Sequence, residues 1–237
     1  NHFSHKRKLH VQDMKVFEML PDSVRQQLRE ELHCPVIKRL AFVKILFKVE
    51  SYTVHRLCHV AVAEISHLTL DSIFSIGAKA ERVYFVTSGA ADYIHQENSR
   101  VSVGGRSMSR IRTLIDDGTT EILRPSMWCC DPALWLDWTH WGNLVARTLV
   151  ELITLDVHLF RKVVLEGPTS ASFAQTYAKL LVEYLKLDPV TWRTDIWRDD
   201  ILMCDLTKLA HIANEGHAER KPRHFTKVFS NSVSSML

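Results

Sequence analysis

The stretch that decides the fold is Arg82-Val83-Tyr84-Phe85-Val86-Thr87-Ser88-Gly89. β-branched and aromatic residues follow one another without a break, and a glycine ends the run, which is typical of a strand that closes in a turn. We expect Ala90 to His95 to be its hairpin partner. The same pattern predicts a polar loop over 96–108 and further strands at 109–115, 121–123 and 144–155. Many short strands at close spacing indicate an antiparallel barrel or roll.

Upstream of the strands the sequence is helical and basic. Leu20-Pro21-Asp22-Ser23 is a helix start, because proline is tolerated in a first turn. The apolar residues of this helix recur at i, i+4 and i+8, namely Val24, Leu28 and Leu32. We expect Pro35 to end it. A second amphipathic piece is predicted over 36–47 and a third helix over 52–65.

Helical periodicity returns downstream of the strands. Asp156 is a good N-cap for a helix over 157–166, and Gly167-Pro168 interrupts the pattern. Thr169 or Ser170 caps a longer helix that continues to residue 187. The aromatic stripe of this helix is expected to pack in the core and consists of Phe173, Tyr177 and Tyr184. A last helical run covers 201–213, and we expect the polar, basic tail after it to be loose.

Composition excludes several classes of protein. The 237 residues include 30 Lys and Arg against 27 Asp and Glu, and a net charge of +3 is too weak to indicate nucleic acid as a partner. The apolar fraction of 46% excludes intrinsic disorder. Five cysteines without C-x-x-C spacing argue against a disulfide framework or a structural zinc site. The sequence therefore predicts no metal.

The chain contains no candidate membrane span or signal peptide. A span needs about 20 apolar residues, and the best run, 41–47, is short and contains Lys44. The first residue is Asn1, and the residues after it form no hydrophobic core of a signal peptide. We expect the chain to be a fragment of a longer protein.

Three segments, in this order, resemble the cyclic-nucleotide-binding domain: Phe74-Ser75-Ile76-Gly77, Val83 to Gly89, and Glu151-Leu152-Ile153-Thr154-Leu155-Asp156. In that family a glycine turn precedes a Tyr-Phe-x-x-x-x-Gly strand. A phosphate-binding cassette follows, and then a strand ending in an acidic-Leu-x-x-Leu-Asp pattern. The resemblance implies an α+β fold. Its centre is an antiparallel β-roll (double-stranded, jelly-roll-like) flanked by N-terminal linker helices and C-terminal lid helices.

The N-terminal part resembles the C-linker of voltage-gated-type cation channels, of the cyclic-nucleotide-modulated or ether-à-go-go-like kind. The residues that carry this likeness are Leu-Pro-x-Ser-x-Arg-x-x-Leu, from Leu20 to Leu28. The tryptophan-rich cassette, 128–141, most resembles divergent channels of protists. We therefore expect a linker-like segment over 1–50, the nucleotide-binding-like roll with its lid helix over 51–188, and a helical or loose tail over 189–237.

The resemblance implies that this chain is the cytoplasmic gating and assembly region of a tetrameric potassium or non-selective cation channel. Such a region would be attached to the membrane only through a pore domain, which is missing from this chain. The implied partners are other subunits, through residues 1–50, and a cyclic nucleotide, cAMP or cGMP; nucleic acid is not expected. No catalytic arrangement of residues is visible, so neither an enzyme nor a cofactor is expected.

Two other classes of protein remain open. The alternative is a cyclic-nucleotide-binding regulatory protein such as a kinase regulatory subunit. It would need a second tandem domain and a basic pseudosubstrate run, and neither is visible. A transcription factor of the catabolite-activator type is a weaker rival, because 190–237 lack a convincing helix-turn-helix.

The cassette departs from the family at its glycine and acidic positions. By register, Cys130 stands where the family has Gly, and Asp131 where a Glu accepts the ribose 2′-hydroxyl. Ala133 and Leu134 match the family's Ala-Leu pair. Pro132 suits the first helical position, which makes Asp131 a natural N-cap.

The cassette also departs where the family holds the phosphate. His140 and Trp141 stand where the family has Arg and the residue after it. Losing a bidentate Arg–phosphate pair costs about 2–4 kcal/mol, or roughly two to three orders of magnitude in affinity. We therefore expect a degenerate pocket, filled by its own side chains, with Trp135, Trp138 and Trp141 as candidates. Arg147 is a possible substitute contact for an anion.

Other chemical candidates are weaker. His55 and His59 lie at i and i+4, but without a further ligand they are expected to be ordinary helix-surface residues. The Cys129-Cys130 pair is expected to be buried rather than redox-active. Arg106-Ser107-Met108-Ser109-Arg110 could be phosphorylated, yet a solvated loop is the default interpretation.

Overall fold

The computed structural model describes residues 19–95, 120–187, 194–197 and 200–218. Within these ranges, three helices precede the strands: α1 (Asp22–Ile37), α2 (Ala41–Val49) and α3 (Ser51–Val60). The strands are β1 (Val62–His67), β2 (Ser72–Phe74), β3 (Arg82–Ser88), β4 (Ala91–His95), β5 (Thr120–Leu123), β6 (Trp128–Cys129), β7 (Gly142–Ala146) and β8 (Val150–Asp156). A 3₁₀ turn (Asp131–Leu134) lies between β6 and β7. Three helices follow: α4 (Val157–Glu166), α5 (Pro168–Leu187) and α6 (Asp200–Ala218).

The described strands form two four-stranded antiparallel sheets, with the orders β1-β8-β3-β6 and β2-β7-β4-β5. The inner faces of the two sheets contribute to a core that includes Tyr93, Leu123 and Leu144, all fully buried. The fold is thus α+β, with an antiparallel β-roll flanked by helices on both sides in sequence. This confirms the predicted fold class.

A second apolar core joins the helices to the roll. Phe42 of α2 stacks on Phe173 of α5, with ring centroids 4.6 Å apart, and Trp135 meets the edge of Phe42 at the same distance. Tyr177 completes this aromatic cluster, 4.7 Å from Trp135. Phe173 and Tyr177 are therefore packing residues, as predicted, and the linker helices and lid helix share one core.

Gly89 explains why the predicted hairpin of β3 and β4 is wrong. β3 pairs with β8 and β6, whereas β4 pairs with β7 and β5. The chain turns at Gly89, where φ is +76° and an added Cβ would lie 2.1 Å from the carbonyl oxygen of Leu149. A glycine in this left-handed turn carries the chain from one sheet to the other instead of folding it back.

Three predicted boundaries are also wrong. Helix α1 continues through Pro35 to Ile37, because a proline in the last turn removes little of the helix's bonding while Val36 and Ile37 are buried. The predicted helix over 52–65 ends at Val60, and its remainder is β1. The predicted strand over 144–155 is two strands, β7 and β8.

Several predicted features lie outside the described residues. They are the loop over 96–108 with its Arg106–Arg110 segment, the strand at 109–115, the start of the linker segment before residue 19, and the tail after residue 218. The cap on α4 is confirmed, since the side chain of Asp156 accepts a hydrogen bond from the backbone of Leu159 at 2.8 Å. No helix in the described ranges is long and apolar enough to cross a bilayer.

Candidate functional site

The cassette begins in a backbone conformation that favours glycine. Cys130, directly after β6, has φ 69° and ψ 17°, the left-handed region that non-glycine residues rarely adopt. This is the position at which the resemblance places a glycine. Asp131 is not an N-cap, contrary to expectation: it is the first residue of the 3₁₀ turn, Cys130 occupies the cap position, and no side chain caps the turn.

The carboxylate of Asp195 lies at the centre of the site. The side chain is fully buried. Oδ2 accepts hydrogen bonds from the hydroxyl of Tyr93 at 2.9 Å and from the backbone N–H groups of Trp141 and Gly142 at 2.8 Å and 3.2 Å. Oδ1 accepts one from the indole N–H of Trp138 at 2.7 Å and lies 3.3 Å from Nδ1 of His140. Five donors thus surround one carboxylate.

The backbone of Asp195 is held as firmly as its side chain. Its N–H donates to the hydroxyl oxygen of Tyr93 at 3.1 Å, and its carbonyl oxygen accepts from the N–H of Cys130 at 2.7 Å. Ile196, the next residue, is buried in the core between the sheets. Residues 194–197 are therefore integrated into the roll, although the chain reaches them only after the lid helix α5.

Two residues singled out by the sequence contact this carboxylate. His140 and Trp141 are the residues that the resemblance places where the family has its phosphate-binding Arg and the residue after it. The ring of His140 lies 3.3 Å from Asp195, and the backbone N–H of Trp141 donates to it at 2.8 Å. An acidic side chain of the same chain, rather than the three predicted tryptophans, thus lies between these residues.

The tryptophans have separate roles. Trp138 donates to Asp195, and Trp135 packs between the linker and lid helices. Trp141 is half-buried and contributes its backbone N–H. Only one of the three side chains therefore donates to the carboxylate of Asp195.

Burial dominates the electrostatics of the site. It raises the pKa of the Tyr93 hydroxyl and the pKa of the Cys130 thiol above their ordinary values, and the nearby Asp195 adds to both shifts. Within the described part of the chain, no Lys or Arg forms an ion pair with Asp195, and His140 is its partner. The buried charge is thus balanced by directed dipoles and one imidazole.

The other predicted residues lie beside this centre. Ala133 and Leu134 are buried, and their carbonyl oxygens accept from the guanidinium of Arg161 at 2.8 Å and 2.9 Å. Asp131 lines a cavity of about 260 Å³. Lys38 and Arg39, which follow α1 in the chain, line the same cavity. Arg161 was not predicted from the sequence, because a lone arginine on an amphipathic helix carries no motif.

Arg147 lies apart from the carboxylate of Asp195. Its guanidinium pairs with Asp92 at 2.7 Å. Side chains alternate along a strand, so Asp92 faces away from its neighbour Tyr93, which reaches Asp195. Arg147 is thus on the opposite face of the sheet from the site.

Cys130, His140 and Asp195 do not form a nucleophilic triad. In such a triad the histidine contacts the nucleophile with one ring nitrogen and the acid with the other. Here the same atom, Nδ1 of His140, lies 3.6 Å from Sγ of Cys130 and 3.3 Å from Oδ1 of Asp195. The three side chains converge on one point instead of forming a relay.

His55 and His59 both contact one carboxylate on a neighbouring helix. Nδ1 of His55 and Nε2 of His59 lie 3.2 Å and 2.8 Å from the two carboxylate oxygens of Glu30. These contacts tie α3 to α1 and agree with the interpretation of helix-surface residues.

Comparison with known proteins gives a likeness to solved structures. No family model and no curated protein matches the chain. Among solved structures, it is similar to a regulatory subunit of a cAMP-independent protein kinase A from Trypanosoma brucei. The identity is 15%, the match covers 64% of this chain and 52% of that chain, and the TM-score is 0.41. The chain thus spans about half the length of that structure, and the fold described above is established by its own strands and helices.

Proposed function

We propose that the chain is the cytoplasmic regulatory region of a tetrameric potassium or non-selective cation channel, with a cyclic-nucleotide-like pocket occupied by its own Asp195. The observation that carries this proposal is the set of five donors converging on the Asp195 carboxylate at the register of the phosphate. An internal anion in this place makes the region independent of a diffusible nucleotide.

The segment that carries Asp195 is connected, through α6, to helix α2 of the linker-like segment. Asp195 lies in the chain between α5 and α6, and α6 packs against both α5 and α2. Leu206 and Ala210 of α6 are buried in the same core as Phe42 of α2. Docking or release of Asp195 would therefore move α6 against a linker helix, and such a coupling requires that the two states differ in these contacts.

The first half of α1 supports assembly through residues 1–50. Val24 and Leu32 belong to its apolar stripe, yet they are 44% and 41% exposed. A helix whose apolar stripe stays uncovered gains stability when another surface covers it. We propose that neighbouring subunits cover the stripe in the tetramer.

Titration calorimetry of the chain with cAMP and cGMP separates this function from a kinase-type regulatory subunit. We expect no binding tighter than about 10 μM. Binding tighter than that, and lost in Asp131→Ala, would mean that the pocket serves a nucleotide, as the alternative requires.

Sedimentation analysis tests the assembly. We expect a tetramer that dissociates when Val24 and Leu32 are both replaced by glutamate. The control, Leu209→Glu, changes an equally apolar and exposed residue of α6 and should leave the tetramer intact. A monomer at all concentrations would refute assembly through this segment.

A further inference from the structure

We propose that Cys130, His140 and Asp195 form a binding site for Zn²⁺ or a similar divalent transition-metal ion. This site goes beyond the regulatory role proposed above and does not depend on it. Its evidence is the convergence of three different ligand atoms, which all lie within 4.8 Å of one another and belong to fully or almost fully buried residues.

The distances between the three atoms agree with a shared metal ion. Metal bonds of about 2.3 Å to sulfur and about 2.0 Å to nitrogen and oxygen, at tetrahedral angles, separate the ligand atoms by about 3.5 Å (S–N and S–O) and about 3.3 Å (N–O). The observed separations are 3.6 Å, 3.9 Å and 3.3 Å. Two of the three agree, and a shift of about 0.4 Å in the flexible thiol side chain would close the third.

The ligand types and their surroundings also fit. Thiolate, imidazole nitrogen and carboxylate are the three protein ligands of Zn²⁺, and three of them leave one position for water. Hydrogen bonds from Tyr93, Trp138 and Trp141 hold the carboxylate in place, as outer-shell partners do in metal sites. A divalent ion would also balance the buried charge of Asp195, which no described Lys or Arg pairs with.

Binding changes the protons in a defined way. The thiol of Cys130 gives up its proton, and Nδ1 of His140 carries none in the metal-bound site, so that sulfur and Nδ1 each offer a lone pair. No electron is transferred. Metal binding therefore releases protons, and the metal connects the cassette to residues 194–197.

Titration of the full chain with Co²⁺ tests the site, with protein purified under reducing conditions, freed of metal by a chelator and without a histidine tag. We expect one Co²⁺ per chain, a thiolate-to-cobalt charge-transfer band in the near ultraviolet, and the visible bands of four-coordinate cobalt. Zn²⁺ should displace the cobalt. Absence of the charge-transfer band at 100 μM metal, about 10⁵-fold above a dissociation constant of 1 nM, would overturn the proposal.

Variants identify the ligands. We expect Cys130→Ser to abolish the charge-transfer band and Asp195→Asn to weaken Zn²⁺ binding at least about 10-fold, the lower end of losses seen even for outer-shell changes. Cys204→Ser is the control, because this half-buried thiol is not in the cluster, and it should bind as the parent does. Circular dichroism checks that each variant is folded. An intact cobalt spectrum in folded Cys130→Ser would overturn the assignment.

Discussion

Replacing Asp195 by asparagine removes the buried charge of the site while keeping its shape. The new amide has one oxygen and one NH₂ group, so one of the two carboxylate positions ceases to accept hydrogen bonds. At the Oδ2 position the NH₂ group would face three donors, from Tyr93, Trp141 and Gly142. At the Oδ1 position it would face Trp138, His140 and, at 3.9 Å, the thiol of Cys130.

The second orientation is the cheaper one, because His140 can change tautomer and accept a hydrogen bond from the amide. The indole N–H of Trp138 then faces an NH₂ group in place of its carboxylate acceptor, which costs about 1–3 kcal/mol. The remaining bonds lose the assistance of a charge, which roughly halves their strength. We expect a total loss of about 2–4 kcal/mol, a large part of the 5–15 kcal/mol typical of a folded protein.

Urea unfolding followed by tryptophan fluorescence measures this loss. With a slope of about 2–3 kcal/mol per molar urea, the midpoint should fall by roughly 1 M. The matched control is Asp205→Asn, which removes an exposed carboxylate of α6 that pairs with Lys208 at 3.0 Å. An exposed pair contributes little, so the control should stay within about 0.5 kcal/mol of the parent. If the two variants unfold at the same midpoint, the carboxylate of Asp195 is not held as described.

Three further predictions concern the framework of the site. Gly89→Ala should lower the free energy of unfolding by more than about 3 kcal/mol, and Gly77→Ala by only about 1 kcal/mol. Both glycines have positive φ, but an added Cβ would meet backbone only at Gly89. Equal losses in the two variants would refute the role of this close contact. Arg161→Met keeps the apolar stem of the side chain but removes the donor to the carbonyl oxygens of Ala133, Leu134 and Leu136. The free energy of unfolding, measured in urea, should fall by about 2–4 kcal/mol. An unchanged midpoint would show that solvent replaces the guanidinium. Burial raises the pKa of Tyr84, Tyr93 and Tyr177. Above pH about 10 the unfolded chain therefore loses protons that the folded chain keeps. The free energy of unfolding should fall as the pH rises from there. Urea midpoints measured from pH 8 to 11 check this, and Tyr177→Phe should reduce the slope; a flat profile would contradict it.

Local patterns in the sequence predict much of the fold. The unbroken run of β-branched and aromatic residues within 82–88 places β3, and Asp156 marks the start of α4, because strand propensity and capping depend on residues that are near neighbours in the chain. The same patterns fail where distant parts of the chain decide. Pro35 stays within a helix because that helix is buried at its end, and β4 leaves β3 because Gly89 lies against Leu149.

The candidate site shows the same division. The resemblance singled out Cys130, His140 and Trp141, and the structure brings all three next to Asp195, but the left-handed backbone of Cys130 was not predicted. Asp195 carries no signal of its own, because it is one acidic residue in a segment without periodicity. Its partners come from β4, from the cassette and from the start of β7, and a carboxylate can be buried only where such donors already converge. Only the folded chain brings them together, so the contacts of Asp195 were decided by tertiary structure, while the sequence alone indicated the cassette residues that lie beside it.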